Sequence, residues 1–349
     1  MIIMRPAAMA DLAQIERLAE ASGPMVCTLP VHRRNLLEKV ERSLSALQSD
    51  VMTPGEESYF FVLEETTTGQ LLGTSAIVAQ AGYLEPFYAY RNDVIVHSSR
   101  ALKVHNRIHA LTLTHALSDH SQLCSFFITQ ALRHTNLPQL LSLGRLLFIA
   151  QHPERFSQEL LAVLPGIADK TGRCPFWEHV GRKFFGIDYN QVEYYNGTRN
   201  KTFIAELMPH HPLYVPLLAE EAQAAIGLVH PDAELQFEML TNDGFEADDF
   251  VEIFDAGPIV TARRNTLTSW QQSKVASVDI GMPAMSDQQG LIINDQLADF
   301  RAIVAAIPTS NSSSLSSSLS SSLCLKPEQA TALKVEAGSR IRWLPLPEH

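Results

Sequence analysis

The sequence predicts an α/β (α+β) fold, with a mixed-sheet domain over residues 1–265 and a small β-barrel-like domain over residues 270–349. Three observations predict it. The chain opens with a strand–helix succession, IIMR and then DLAQIERLAEAS. Two β-rich runs flank a polar, glycine-containing turn within 59–79. After residue 120, strand and helix patterns alternate to about 265, the mark of a sheet packed against helices. Past 270 the helical period fades into short strands.

In DLAQIERLAEAS, Leu12, Ile15 and Leu18 share one helix face, and Ser22-Gly23-Pro24 stops the helix. A second helix is predicted over about 33–47. YFFVLEE, TTTGQ and LLGTSAIVA read as strand, turn and strand of a hairpin. Residues 80–120 show no clear period; they carry aromatics and His97, His105, His109, His115 and His120. QLCSFFIT (122–129) is a strand. Residues 137–151 are a helix with Pro138 in its first turn, where its missing N–H costs nothing. Residues 159–166 suit a strand and 175–185 a short amphipathic helix. TFIAELMP (202–209) is predicted as a strand. The stretch 211–229 is helical from about Pro216, 234–245 is a helix closed by Gly244, and 248–258 is a strand entering a turn.

In the last part, SVDIG, GLIIND and FRAIVAAI are short strands. LCLKPEQATALKVEAGSRIRWLPL reads as strand, turn, short helix, glycine turn and strand. Between them SSSL occurs three times, from Ser312 to Leu323. Such a tract buries too little to order itself, so a disordered insertion is expected over 308–323.

The net charge of −11 makes the chain a poor partner for nucleic acid or anionic lipid. No apolar run reaches the roughly 20 residues of a membrane span, and the N-terminus lacks the pattern of a signal peptide. Cys27, Cys124, Cys174 and Cys324 lie far apart without a CxxC pair. They are expected to be reduced thiols of a cytoplasmic protein. No metal site is expected: His210 and His211 are adjacent and diverge, and the other histidines lack companion ligands at the required spacing. P-loop and serine-elbow motifs are missing from the sequence.

Several long stretches carry a resemblance: EESYFFVLEETTTGQLLGTSAIVA, EPFYAYR (85–91), VHSSRALKVHN (96–106), TFIAELMPHHPLYVPLL, and VHPDAELQFEML with the later GF and IFDAGP. They resemble the arginine N-succinyltransferases, most of all the α-subunit branch of the two-subunit arginine/ornithine form, and cover nearly the whole chain outside the serine tract. The resemblance implies a GNAT-like acyl-CoA N-acyltransferase fold. It also implies succinyl transfer from succinyl-CoA, a co-substrate rather than a permanently bound cofactor, to the α-amino group of L-arginine or L-ornithine in arginine breakdown. A β-subunit paralogue would be the partner in a hetero-oligomer.

A thioester is already activated. The protein must place two substrates, take a proton from the ammonium, stabilise the oxyanion and protonate the departing thiolate. The resemblance assigns the proton donor to His230, in Val229-His230-Pro231; the plainer alternative is a surface or helix-capping histidine. It places acyl-CoA contacts on the 122–129 strand at Phe126, with neighbouring Ser125, although Phe126 also suits a sheet core. The family's Arg/Gln-x-x-Gly-x-Gly/Ala phosphate loop corresponds to Arg133-His134-Thr135-Asn136-Leu137-Pro138. Arg133 remains, but both glycines are replaced and Pro138 offers no N–H. Arg91, Arg263 and Arg264 are candidates for the succinyl carboxylate, and Glu85, Glu252 and Asp255 for the substrate's cationic tail. Asp255-Ala256-Gly257-Pro258 departs from the family's D-G-G-P by one alanine. A non-catalytic scaffold or regulatory subunit, and an N-acyltransferase with another acyl donor, are the alternatives. The serine tract is expected to be dispensable: deleting it should leave the far-UV circular dichroism and the melting temperature unchanged, and loss of folding would overturn this.

Overall fold

The computed structural model describes residues 1–23, 26, 28–169, 171–198, 202–283, 286–308 and 322–347. Of the serine tract, 309–321 lie outside the described residues, as does Cys27. Ser322 and Leu323, expected in the insertion, instead begin a strand in which Leu323 is buried.

β1 (Ile2–Pro6) leads to α1 (Leu12–Ser22), which buries Leu12, Ile15 and Leu18 as their spacing predicts. α2 (Arg33–Gln48) buries Leu36, Val40, Ala46 and Leu47. β2 (Ser58–Glu65) and β3 (Gln70–Val78) form the predicted hairpin, paired from Ser58↔Val78 to Glu65↔Gln70. Residues 80–120 hold a second, longer hairpin, β4 (Ala89–Ser99) with β5 (Val104–Thr114). Its outer half is exposed on both faces, so no apolar/polar alternation is imposed on the sequence. β6 (Ser121–Ile128), α3 (Leu137–Gln151) and β7 (Glu159–Val163) follow as predicted.

The next stretch departs from expectation. The helix predicted over 175–185 is two, α4 (Pro175–His179) and α5 (Gly181–Phe185). They break at Val180, whose φ −118° and ψ −80° are not helical. α6 (Tyr189–Thr198) precedes α7 (Thr202–Leu207), which replaces the strand predicted over 202–209. Ile204 and Met208 are buried four residues apart, a helical spacing that the short run TFIAELMP disguises as β. After β8 (Leu213–Tyr214), only α8 (Glu220–Ala225) of the helix predicted from Pro216 forms, because Leu218 and Ala219 are extended. α9 (Glu234–Asp243) ends where predicted, with Gly244 at φ +113°. β9 (Glu246–Val251) is followed by a turn and by β10 (Pro258–Arg263), a strand not anticipated, and then α10 (Thr268–Gln272). β11 (Lys274–Ile280), β12 (Gln289–Asn294), β13 (Ala302–Ala306), β14 (Ser322–Leu325), α11 (Pro327–Leu333) and β15 (Arg340–Pro345) complete the chain.

All the strands belong to one mixed sheet in the order β14-β11-β15-β12-β13-β1-β2-β3-β6-β7-β10-β9-β4-β5-β8. The mixed α/β fold is thus as predicted. The strands after residue 270 do not close into a barrel; they extend the sheet through β13, which meets β1 at Met4↔Ala302. They pack around a core of their own with Val278, Ile292, Ile303, Leu325 and Ile341. Phe148 of α3 joins the two parts. Its ring lies 5.0 Å from Phe300, before β13, and 5.1 Å from Phe61 of β2. Aromatic pairs of this kind add roughly 0.5–1.5 kcal/mol each beyond their buried area.

One crossing fixes where the sheet opens. The segment after β7 and the β9–β10 turn run so close that a Cβ on Gly257 would lie 2.3 Å from the Leu164 carbonyl oxygen and 2.4 Å from the Gly166 nitrogen. These are backbone atoms, so no side-chain movement relieves the clash. Ala256 beside it takes φ +55°, a left-handed conformation costing a non-glycine residue roughly 1–2 kcal/mol. The alanine that departs from the family's D-G-G-P therefore sits at a strained backbone position. Gly257→Ala is predicted to lower stability by about 2–3 kcal/mol in urea unfolding; a change under about 0.5 kcal/mol would contradict the close crossing.

Candidate active site

β6 and β7 are parallel neighbours for three residues only, Ser121↔Leu160, Gln122↔Leu161 and Leu123↔Ala162. Beyond Leu123 they part. β7 follows β10 through Ile259↔Val163, while β6 stays on β3 to Gly73↔Ile128. A cavity of about 1010 Å³ opens in the wedge, lined by residues 122–130 on one side and by Val163 and Pro165 on the other. From Cys124 onward the β6 backbone faces this space without a partner strand.

β6 is also bulged. Its register against β3 shifts between Thr74 and Ala76, and Ser125 in the shift has φ +51°. A bulge re-aims the following residues. Ser125 is held from the α1–α2 loop: its N–H donates to Thr28 Oγ1 at 2.9 Å and its hydroxyl to the Thr28 carbonyl at 2.7 Å. Thr74 donates to the Ser125 carbonyl at 2.9 Å. So Ser125 lines the cavity, but its polar atoms are committed to holding the bulge.

Beneath the bulge lies Arg145 of α3, fully buried with no carboxylate against it among the described residues. It donates to the Cys124 carbonyl at 3.3 Å and approaches the Ala76 carbonyl at 3.5 Å, and its guanidinium lies 5.6 Å from the Phe126 ring centre. Burial pulls its pKa down to about 10. Phe126 is half-buried, packed against the main core on this cation and still part of the cavity wall; it is both sheet core and site lining. Sequence reasoning missed Arg145, although an arginine inside LLSLGRLLFIA was the available signal.

Arg133 lines the cavity just beyond β6. Its loop is spent on itself: the N–H groups of Arg133 and Thr135 go to Gln130 and Leu132 carbonyls, and that of Leu137 to Thr135 Oγ1 at 3.2 Å. With Pro138 lacking a donor, the start of α3 keeps few N–H groups for a phosphate. Arg133 and His230 are brought together by a residue not predicted, Asp232. Its carboxylate lies 3.8 Å from the Arg133 guanidinium and 3.8 Å from His230 Nδ1. His230 Nδ1 also accepts the Asp232 N–H at 3.1 Å, which puts the proton of the neutral ring on Nε2. The His230 N–H docks on the Pro165 carbonyl at 2.8 Å. The cavity wall reaches Asp232 and Ala233; His230 itself is not among its lining side chains.

The far wall is acidic. Glu85, Glu193, Glu252 and Asp255 line it with Tyr189. Asp255 accepts the N–H groups of Gly166 and Gly257, each at 2.7 Å, and the Tyr189 hydroxyl at 3.2 Å. Glu252 accepts from the N–H groups of Phe254 and Asp255. Among the described residues neither carboxylate is in ion-pair reach of a cation. Burial first, and then the Asp255 charge, push Glu252 well above the usual carboxylate range; burial likewise raises Asp255 and Tyr189. Beside them Tyr90 keeps a buried hydroxyl with no hydrogen-bond partner among the described residues.

The three arginines proposed for an acyl carboxylate lie elsewhere. Arg91 pairs with Asp93 at 2.8 Å and Arg263 with Glu159 at 3.1 Å on the surface. Arg264 donates to the Pro153 and Phe156 carbonyls and sits over Trp270. Each has a structural partner that fixes it away from the wedge. Among the described residues, the cations that do line the cavity, besides Arg133, are Lys39 and Arg42 of α2. Among the described residues no group of three or more His, Cys, Asp or Glu could hold a metal ion, and no helix is long and apolar enough to cross a membrane.

Known proteins match along the whole chain. Residues 2–269 match the family described as arginine N-succinyltransferase beta subunit, and residues 271–345 its C-terminal domain. The chain is 44% identical over 342 residues to the arginine N-succinyltransferase subunit alpha of Pseudomonas aeruginosa, covering 98% of this chain and 99% of that protein. It is 37% identical over 349 residues to an arginine N-succinyltransferase of Yersinia enterocolitica, covering 99% and 98%. The solved structure of arginine/ornithine succinyltransferase subunit AI from Pseudomonas aeruginosa superposes with a TM-score of 0.89 at 41% identity, covering 100% of this chain and 99% of that one.

Proposed function

The chain belongs to the arginine N-succinyltransferase family and is an acyltransferase; on that footing we propose that it moves a succinyl group from succinyl-CoA to the α-amino group of L-arginine or L-ornithine. The observation that carries the proposal is the wedge between β6 and β7, with β6 backbone facing it unpaired by β7 on one wall and, among the described residues, two buried carboxylates without a cation on the other. The pantetheine arm of the CoA would lie along β6 from Cys124 to Ile128 and take its backbone groups as partners. Phe126 would flank the thioester, and Ser125 would serve by shaping the bulge. Lys39, Arg42 or Arg133 would hold the acyl carboxylate and the phosphates. Glu252 and Asp255, with Glu85 on the same wall, would take the cationic tail of the amino acid.

In the chemical step the neutral α-amine attacks the thioester carbonyl, the oxyanion collapses to expel the thiolate, and the nitrogen releases one proton to solvent as the amide forms, equal to the one the thiolate takes up. His230 would give that thiolate its proton. The Asp232 N–H on Nδ1 would hold the ring so that Nε2 is the nitrogen left for the transfer. A hetero-oligomer with a paralogous sister chain, a cytoplasmic location and a division into units of 1–265 and 270–349 belong to the same proposal. Support for the first comes from two relatives named as subunits.

One observation favours a second reading. The loop at Arg133–Pro138 spends its N–H groups internally, which would leave CoA phosphates to side chains or to a sister chain. Calorimetry with succinyl-CoA separates the two: micromolar binding to the chain alone supports its own site, and binding only in the presence of the sister chain supports the second reading.

His230→Ala is predicted to lower kcat by about 10²-fold or more with little change in KM, because a proton donor acts in the transition state. An unchanged kcat in a thioester-cleavage assay with L-arginine and L-ornithine would return His230 to a capping role. The acidic wall makes a linked prediction. Glu252 starts with a raised pKa, and a bound cation favours its charged form, so its pKa falls on binding and a proton leaves. L-arginine should therefore bind more tightly as pH rises toward the raised pKa of Glu252 in the free protein. Calorimetry in buffers of different ionisation enthalpy should read proton release, and Glu252→Gln should abolish it and weaken binding by about tenfold or more. Affinity and proton count identical in wild type and variant would contradict the assignment.

A further inference from the structure

The β4–β5 hairpin outgrows the sheet that carries it. β9 meets β4 only at Tyr90 and Arg91, and β8 meets β5 only at Ala110 and Leu111. The ladder between β4 and β5 nevertheless continues to Ser99↔Val104. Residues 92–109 thus stand out as a two-stranded ribbon about 25 Å long at the usual rise per residue. Such a ribbon is marginally stable by itself in water. This one also presents apolar side chains to solvent: Val94 is 50% exposed, Val96 51%, Leu102 75% and Val104 40%.

The ribbon is basic in an acidic protein. Arg100, Lys103 and Arg107 are exposed, and residues 94–118 contain no Asp or Glu although the chain carries a net charge of −11. At its root the ribbon uncovers an acidic segment. Pairing with β9 stops at Phe250, and β9 bulges against β10 between Ile259 and Thr261. Glu246, Asp248 and Asp249 are left exposed there.

We propose that the ribbon is a dimerisation arm whose partner is a second copy of this chain, the basic ribbon of each copy lying along the acidic β9 segment of the other. Each copy carries both halves of the charge match, the basic arm and the acidic segment at its root, which is what a two-fold, self-complementary interface requires. Nucleic acid or anionic lipid would meet the same basic residues but be repelled by the acidic body around them. The exposed valines and Leu102 would lose water in the same contact.

Sedimentation velocity and light scattering on the full chain test this. The expected result is a dimer, twice 38.7 kDa, whose dissociation constant rises as salt is raised from 0.05 to about 0.5 M. Arg100→Glu, Lys103→Glu and Arg107→Glu together should give a monomer with an unchanged far-UV circular dichroism spectrum, and Asp248→Lys with Asp249→Lys should do the same. Mixing the two variants should restore a dimer, because only that combination is complementary. A wild-type monomer at micromolar concentration, a dimer indifferent to salt, or a mixture that stays monomeric would each overturn the proposal.

Discussion

The site depends on one constraint, the backbone crossing at Gly166 and Gly257. There the chain leaving β7 is held against the β9–β10 turn, and the Asp255 carboxylate accepts an N–H from each glycine at 2.7 Å. The same crossing anchors the segment that carries the histidine: Gly227 donates to the Ala256 carbonyl at 2.8 Å, and His230 to the Pro165 carbonyl at 2.8 Å. With β7 drawn toward β10 and β6 retained on β3, the two strands must part after Leu123. The wedge therefore follows from how the sheet is tied rather than from a loop laid over it. The acidic wall and the histidine segment are fixed to one support, so their spacing does not depend on side-chain rotamers alone.

On the other side of the wedge the bulge at Ser125 plays the corresponding part. Its left-handed residue would be strained in isolation. Thr28 holds it from the α1–α2 loop and Arg145 from α3. A buried guanidinium without a carboxylate is costly, and Arg145 offsets only part of that cost with its bonds to carbonyls. It leaves a fixed positive charge beneath the strand segment where a thioester would lie. Preorganised charge of that kind is worth most where an oxyanion develops.

Where the physics is local, the sequence was legible. Leu12, Ile15 and Leu18 marked the buried face of α1, the polar turn around Gly69 marked the first hairpin, and Gly244 marked the end of α9. The β4–β5 hairpin was not legible, because an arm exposed on both faces needs no alternation. The α7 segment was misread because six residues are too few to separate a helical from a β period. The candidate site was legible in part. Phe126, Ser125, Arg133, Glu85, Glu252 and Asp255 do share the cavity wall, whereas Arg91, Arg263 and Arg264 are held elsewhere by Asp93, Glu159 and backbone carbonyls. Asp232, Lys39 and Arg42 were missed because their relevance arises only when separate elements converge.

In the proposed reaction one wedge holds both substrates, with the acyl-CoA along β6 and the amino acid against the Glu252–Asp255 wall. A crystal structure of the chain with CoA and L-arginine tests it most directly. The pantetheine arm should run beside Cys124–Ile128 and the guanidinium should lie within about 4 Å of a Glu252 or Asp255 oxygen, an ion-pair distance. CoA bound outside the β6–β7 wedge, or L-arginine held away from both carboxylates, would contradict it.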